Sequence, residues 1–172
     1  MYEVDEYDRA VELCDLPQSS VGAPNPFVLA DEHKVVLAYY LEERDPNWDG
    51  TTARIVGPTG VDEPIAIVRC NRCSVHMFGP PDDENLSGHP LAKRGLRQYG
   101  GFRIDRSSWI RKLERMNAVH SQLLAERFGN LQHLVFTFHD STFECVCQDF
   151  EVTTTRGSIA EAVPEMAKRL GW

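Results

Sequence analysis

The side chains best suited to acid–base chemistry lie close together in the last third of the chain. His139, Asp140 and Ser141 are adjacent, and Glu144 follows three residues later. A histidine paired with a carboxylate can transfer protons near neutral pH, so His139, Asp140 and Glu144 are the candidate catalytic residues of a hydrolase-type acid–base enzyme. Ser141 lacks the Gly-x-Ser-x-Gly elbow of an activated nucleophile. Because Asp and Ser are also selected by tight turns, we favour a hairpin tip over a reaction centre.

Cysteines form the second candidate group. The five are Cys14, Cys70, Cys73, Cys145 and Cys147. Cys70 and Cys73 have the spacing of a zinc-ligand pair, and Cys145 with Cys147 could complete a tetrahedron. The second pair has the wrong spacing, however, and alternates with Phe residues, where a thiol behaves as a small apolar group. We therefore expect buried thiols, no metal and no cofactor; if a metal is bound, Cys70 and Cys73 are its ligands.

Basic residues are concentrated in one part of an acidic protein. The net charge is −8, and residues 1–15 hold six acids against Arg9 alone. Residues 93–115 instead hold eight bases against two acids. The overall charge argues against nucleic acid as a partner. The local excess of positive charge is the clearest electrostatic feature of the sequence.

A second set of side chains could bind an anion. It comprises His89, Lys93, Arg94, Arg97 and Tyr99. Histidine and arginine together can hold a phosphate or carboxylate, and nearby glycines let backbone N–H groups approach it. The bases could equally be ordinary solvated charges, or they could dock onto the acidic amino-terminal segment.

Alternating polar and apolar residues predict the strands that carry these groups. Within residues 133–150, a two-residue turn on Asp140-Ser141 pairs Phe138 with Phe143 and Leu134 with Cys147, which places every cysteine and Phe on one face. Residues 65–78 give a second hairpin about Asn71-Arg72, although Arg72 would need a positive φ. Residues 27–43 predict two further strands on either side of Asp31-Glu32-His33.

Two helices complete the prediction. One covers residues 107–128 behind a Ser cap, and a short carboxy-terminal helix begins near Val163, with Pro164 in its first turn, and ends at Gly171. Ser158 and Glu161 have capping-box spacing, but Pro164 lies too deep for a helix that starts there. The fold class is therefore α+β: a single domain with a mainly antiparallel sheet built from hairpins.

The domain division and cellular setting follow from composition. We expect an acidic segment and linker over residues 1–26, followed by one domain over residues 27–172 that contains a long irregular loop, 79–106. No apolar run is long enough to span a membrane, and the first residues do not form a secretory signal. A cytoplasmic location is the expectation.

Two functions are compatible with these features. The first is a small acidic binding module that uses loop 79–106 and the adjoining basic helix start to contact a protein or an anionic ligand. The second is the acid–base enzyme, with loop residues assisting His139, Asp140 and Glu144. An enzyme would bring His89 or a loop arginine next to His139 in a closed pocket, whereas a binder would present the loop as an open surface.

Overall fold

The computed structural model describes residues 2–43, 49–51, 55–119 and 126–172. Within these ranges the chain forms nine strands and three α-helices. The strands are β1 (Arg9–Glu12), β2 (Phe27–Ala30), β3 (Val35–Tyr40), β4 (Glu63–Asn71), β5 (Val75–Gly79), β6 (Gly101–Asp105), β7 (Gln132–Thr137), β8 (Thr142–Cys147) and β9 (Asp149–Gly157). The helices are α1 (Ser108–Asn117), α2 (Glu126–Gly129) and α3 (Ile159–Leu170).

The strands make two antiparallel sheets. One has five strands in the order β1-β6-β7-β8-β5, and the other has four in the order β2-β3-β4-β9. The predicted single α+β domain is confirmed, as are the two strands predicted on either side of Asp31-Glu32-His33, which pair with each other. Among the described residues, no helix has the length and apolar character needed to cross a membrane.

The two sheets pack face to face and are covered on both outer sides. Side chains from β3, β4, β7 and β8, such as Leu37, Val68, Phe136 and Phe143, fill the space between them. Helix α3 covers the outer side of the four-stranded sheet. The amino-terminal residues, the loop before β6 and helix α1 cover the five-stranded sheet. Because both faces are covered, β3 and β8 are buried at every residue.

The hairpin of β7 and β8 forms as predicted, but with a different register. Its turn is centred on His139 and Asp140, since the Phe138 amide donates to the Ser141 carbonyl at 2.8 Å. Phe136 therefore pairs with Phe143, and Gln132 with Cys147. The predicted turn on Asp140-Ser141 is wrong by one residue. That error shifts the pairing by two residues, and an even shift leaves each side chain on its predicted face.

The predicted hairpin within residues 65–78 is wrong, because its two strands belong to different sheets. β4 pairs with β3 and β9, whereas β5 pairs with β8. The chain crosses between the sheets at Arg72, which adopts the positive φ of 49° that a tight turn there requires. A second crossing, from β8 to β9 at Gln148, runs beside it, and the Gln148 amide donates to the Asn71 carbonyl at 3.0 Å.

Helix boundaries differ from prediction in one instructive case. Helix α3 begins at Ile159, because the Ser158 hydroxyl and the Glu161 carboxylate form a complete capping box. The predicted start near Val163 is wrong: Pro164 lies inside the helix and removes one N–H donor. The predicted end at Gly171 is correct. The predicted helix 107–128 is described as α1 and α2, and its residues 120–125 lie outside the described part.

The first residues and the loop before α1 belong to the body of the fold. β1, which lies within the expected amino-terminal segment, pairs with β6, and Tyr2 is buried in the outer core of the five-stranded sheet. The expected irregular loop 79–106 ends in β6 and contains two short 3-10 turns, Leu86–Gly88 and Ala92–Arg94. These pieces form the cover of the five-stranded sheet.

Candidate functional site

A buried carboxylate lies at the centre of the outer face of the five-stranded sheet. Glu144 on β8 is 5% exposed. Its Oε2 accepts hydrogen bonds from the Tyr2 hydroxyl at 2.6 Å and from His133 Nε2 at 3.0 Å. Its Oε1 faces His89 Nε2 at 3.0 Å. We call these four side chains the Glu144 hub.

Hydrogen bonding assigns the tautomer of His89 and gives each ring nitrogen of His133 a partner. The Leu91 amide donates to His89 Nδ1 at 3.1 Å, so His89 carries its proton on Nε2 and donates it to Glu144. His133 Nδ1 lies 2.8 Å from the Ser107 hydroxyl, which also accepts from the Ile110 amide as the cap of α1. Every polar atom of both imidazole rings is thus satisfied, as buried groups require.

The hub strongly favours an ionised carboxylate. Burial would raise the pKa of Glu144, but hydrogen bonds from His133 and His89, the charge interaction with His133 and the bond from Tyr2 together hold it at about 2. Burial raises the pKa of the Tyr2 hydroxyl, and the nearby negative charge of Glu144 raises it further. Tyr2 also stacks on Trp109, with ring centroids 4.9 Å apart.

Each hub contact fastens a different covering segment to the sheet. Tyr2 belongs to the amino-terminal residues, His89 to the loop, and Ser107, through His133, to the start of α1. A further bond joins the first segment to the helix, because Asp8 Oδ1 accepts from the Ser108 amide at 2.7 Å. The Glu144 carboxylate therefore holds three segments against the sheet. The amino-terminal residues and the loop have few regular backbone hydrogen bonds of their own.

Two of these segments, the amino-terminal residues and the loop, form the walls of a surface groove of about 570 Å³ together with the end of β6. We call it the basic groove. Its lining residues are Glu6, Tyr7, Asp8, Arg9, Ala10, Lys93, Arg94, Gly95, Arg97, Asp105 and Arg106. Gly95 allows the loop to approach β1 closely: it has φ of 100°, and an added Cβ would lie 3.1 Å from the Ala10 carbonyl oxygen.

Positive charge dominates the basic groove. Its five cations are Arg9, Lys93, Arg94, Arg97 and Arg106. Within the described ranges, none of them forms an ion pair. Two of the three acids are already engaged: Asp8 binds backbone amides, and Asp105 pairs with Arg103 at 3.1 Å. The sequence left open whether Lys93, Arg94 and Arg97 dock onto the amino-terminal acids. Within the described ranges these three form no ion pair, whereas Arg111 pairs with Asp5.

The predicted catalytic residues are divided between two places. His139 and Asp140 form a contact of 3.0 Å at the hairpin tip, where their side chains are 44% and 88% exposed. Glu144 lies in the buried hub with His89 and His133. The bond from His139 to Asp140 raises the pKa of His139. The structure thus brings a loop histidine to Glu144 and leaves His139 outside that contact.

The loop also meets the hairpin tip through a separate set of bonds. The Asp83 amide donates to the His139 carbonyl at 2.9 Å, and Tyr99 donates to the Asp83 carboxylate. This bond from Tyr99 lowers the pKa of Asp83, and Asp83 raises that of Tyr99 to about 12. Of the predicted anion-binding residues, Lys93, Arg94 and Arg97 line the basic groove, His89 belongs to the hub, and Tyr99 lies near the tip.

Four cysteines meet between the sheets. Cys70, Cys145 and Cys147 are fully buried and Cys73 is 7% exposed, so the predicted burial of these thiols is confirmed. The Sγ atoms of the first three all lie within 4.8 Å of one another. Hydrogen bonds from Cys145 and Cys70 lower the pKa of Cys147, although burial opposes this. Cys14 is exposed.

Sequence reasoning missed Tyr2 and His133 as members of the hub, and Ser107 as the hydrogen-bond partner of His133. His133 had a usable signal: it shares a strand face with Glu144, and the predicted hairpin placed both there. That face was expected to be solvated, and its covering segments were not foreseen. Tyr2 had no signal, because nothing local indicates contact with a residue 142 positions away.

Comparison with known proteins adds no further assignment: no family model, curated protein or solved structure matches this chain.

Proposed function

We propose that this protein is a small acidic binding module whose basic groove holds an anionic group. The observation that carries the proposal is the set of five cations without ion-pair partners among the described residues, gathered on three segments around one groove. A volume of about 570 Å³ falls in the range of small-molecule sites. The module thus uses loop 79–106, as the charge distribution of the sequence predicts, together with the amino-terminal residues; the expected helix start contributes no lining residue to this groove.

The hub supports this proposal by supplying preorganisation. Like charges held close together repel, and a flexible loop would relieve that repulsion by spreading them apart. The His89 contact fixes the loop on one side of the groove, and Tyr2 fixes the amino-terminal residues on the other. A groove whose cations are already in place loses less conformational entropy when an anion binds.

The favoured ligand is a compact anion of the phosphate or carboxylate class, because the cations converge on a concave site. An acidic segment of a partner protein would present the same chemistry. We place the module in a reducing compartment such as the cytoplasm, since none of its five cysteines forms a disulfide.

The alternative function, an acid–base hydrolase, is supported only by the contact between Glu144 and His89. Both side chains are less than a tenth exposed, so a substrate would have to displace the covering segments to reach them. His139, the other candidate base, lies at the exposed tip.

Titration with inorganic phosphate and pyrophosphate, followed by amide chemical shifts, tests the binding proposal. We expect saturable shifts at Gly95, Arg97 and Arg106 that weaken as salt is added. Reversing two charges, Lys93→Glu with Arg94→Glu, should reduce affinity at least tenfold. The matched control is Lys168→Glu, on α3 in the opposite layer, where the side chain is 80% exposed. Equal loss of affinity in both variants, or shifts without saturation, would contradict a specific groove.

A further inference from the structure

The four buried cysteines lie where the chain crosses twice between the sheets. Cys70 and Cys73 flank the crossing from β4 to β5, and Cys145 and Cys147 precede the crossing from β8 to β9. The crossings run side by side, joined by the bonds from the Gln148 amide to the Asn71 carbonyl and from the Ser74 amide to the Val146 carbonyl. Residues 75 positions apart in sequence are thereby brought into contact.

Three of the four sulfur atoms lie close together. Cys145 Sγ lies 3.6 Å from Cys70 Sγ, and the Sγ atoms of Cys70, Cys145 and Cys147 all lie within 4.8 Å of one another. A tetrahedral zinc thiolate, with Zn–S bonds of about 2.3 Å, requires sulfur atoms about 3.8 Å apart. Cys73 belongs to the same buried cluster, and its thiol donates to the Val75 carbonyl at 3.3 Å. If Cys73 turned from that carbonyl to the ion, two sulfurs from each crossing would give the four ligands of a closed structural site.

Packing alone does not require this convergence. A thiol that serves only as a small apolar group gains as much by contacting Phe or Val side chains as by contacting other sulfurs. Here the neighbours Val68, Phe136 and Phe143 surround the sulfurs as a shell, which is the environment of a metal site shielded from water. The other cysteine of the chain, Cys14, lies apart and exposed.

We infer that Cys70, Cys73, Cys145 and Cys147 form a structural zinc site that clamps the two sheets together at their shared crossing. Each ligating thiol releases its proton to solvent as the ion binds. The site takes a divalent cation of zinc's size and softness and leaves no open coordination position, so its role is to stabilise the fold.

The full-length protein, purified under reducing conditions from zinc-supplemented medium, tests the inference. We expect one zinc per chain by elemental analysis. An organomercurial should react first with the exposed Cys14 thiol and then release the zinc in proportion as the four ligating thiols react. Cobalt reconstitution should give the intense thiolate-to-metal absorption of a site with four sulfur ligands. The Cys14→Ser variant should retain full zinc, whereas Cys73→Ser, which alters the most exposed of the four, should lose most of it.

A packing role gives the opposite results. Less than a tenth of an equivalent of zinc, both as purified and after reconstitution with zinc or cobalt, would overturn the inference. So would equal zinc content in the Cys73→Ser and Cys14→Ser variants. Because cobalt absorption and mercurial titration use the unaltered chain, the inference stays testable if a cysteine variant fails to fold.

Discussion

The outer faces of the two sheets are covered in different ways. The four-stranded sheet is covered by α3, through apolar contacts such as Met166 and Leu170 against Val36 and Ile67. The five-stranded sheet is covered by irregular segments and the start of α1, with Glu144 buried beneath them. A helix satisfies its own backbone hydrogen bonds and needs only an apolar stripe to pack. Irregular segments cannot do so, and here buried polar contacts hold them in place.

Because of this difference, the cover of the four-stranded sheet mainly stabilises the fold, whereas the cover of the five-stranded sheet also carries the proposed binding groove. The apolar cover contributes free energy of folding, and the two arginines of the groove beside it, Arg156 and Arg169, are already paired with carboxylates. The polar cover contains a buried charge, the Glu144 carboxylate, and burying a charge is costly unless it is fully hydrogen-bonded. The hydrogen bonds to this carboxylate fix the segments that carry the basic groove. Changes on the two faces should therefore have distinguishable effects.

Replacing the hub carboxylate should give the largest effect. Glu144→Ala leaves two imidazoles and a phenol buried without their acceptor, which we expect to reduce the free energy of unfolding by about 4 kcal/mol. Hydrogen exchange should also accelerate across residues 86–97, because their anchor is lost. Chemical denaturation and exchange mass spectrometry measure the two effects. Glu151→Ala, which removes an exposed carboxylate on β9, should change stability by less than about 0.5 kcal/mol.

An apolar truncation on the opposite face should cost stability alone. Met166 lies on α3 and is fully buried against the four-stranded sheet, and Met166→Ala should reduce the free energy of unfolding by about 3 kcal/mol through lost burial and a cavity. Phosphate binding at the basic groove, measured well below the melting temperature, should stay within twofold of the unaltered protein. Weakened binding in this variant would show that the two covers are not independent.

Acid should reveal the hub through its pH dependence. The pKa of Glu144 is about 2 in the folded chain and near 4.5 when unfolded, so the unfolded state takes up the proton first as pH falls. The hub's stabilisation is therefore complete above about pH 5 and is lost between about pH 4.5 and pH 2, amounting to roughly 3 kcal/mol. Glu144→Gln should remove this component from a plot of unfolding free energy against pH. An unchanged acid limb in Glu144→Gln would mean that other carboxylates account for it.

The two helix caps provide the smallest and closest comparison. Ser158 caps α3 and contacts only its own helix end, so Ser158→Ala should cost about 1 kcal/mol. Ser107 caps α1 and also bonds His133 in the hub, so Ser107→Ala should cost about 2 kcal/mol because a buried ring nitrogen loses its partner. Thermal or chemical denaturation of both variants gives the difference. Equal losses would indicate that His133 finds another donor.

The sequence was sufficient to predict which side chains share a face of each strand. It was not sufficient to predict which strands pair with each other. Alternation in residues 133–147 identifies which side chains share a face, and this survives a register error of two residues. The same alternation in residues 65–78 cannot say whether two apolar strands pair with each other or with distant ones. The crossing at Arg72 depends on contacts with β8 and β9, which lie more than 70 residues further along the chain.

Local signals also competed at the start of α3. The capping box at Ser158 and the proline at 164 predict different boundaries, and the capping box prevails because Ile159 and Ala162 bury apolar surface against the sheet. The hub was predictable only in part for the same reason. Glu144 was recognisable as a functional candidate, but its true neighbours come from three separate segments, and only tertiary packing brings them together.

The position of β9 has a consequence for biosynthesis. β4 is an inner strand whose second neighbour, β9, is translated nearly 80 residues after it. Until the ribosome has delivered residues 149–157, the Ile- and Val-rich β4 exposes a free edge that can pair with other nascent chains. We therefore expect the four-stranded sheet to mature late and slowly, as long-range strand pairing requires. A chaperone that shields β4 in the interval would raise the yield of native protein more than one acting on the finished fold.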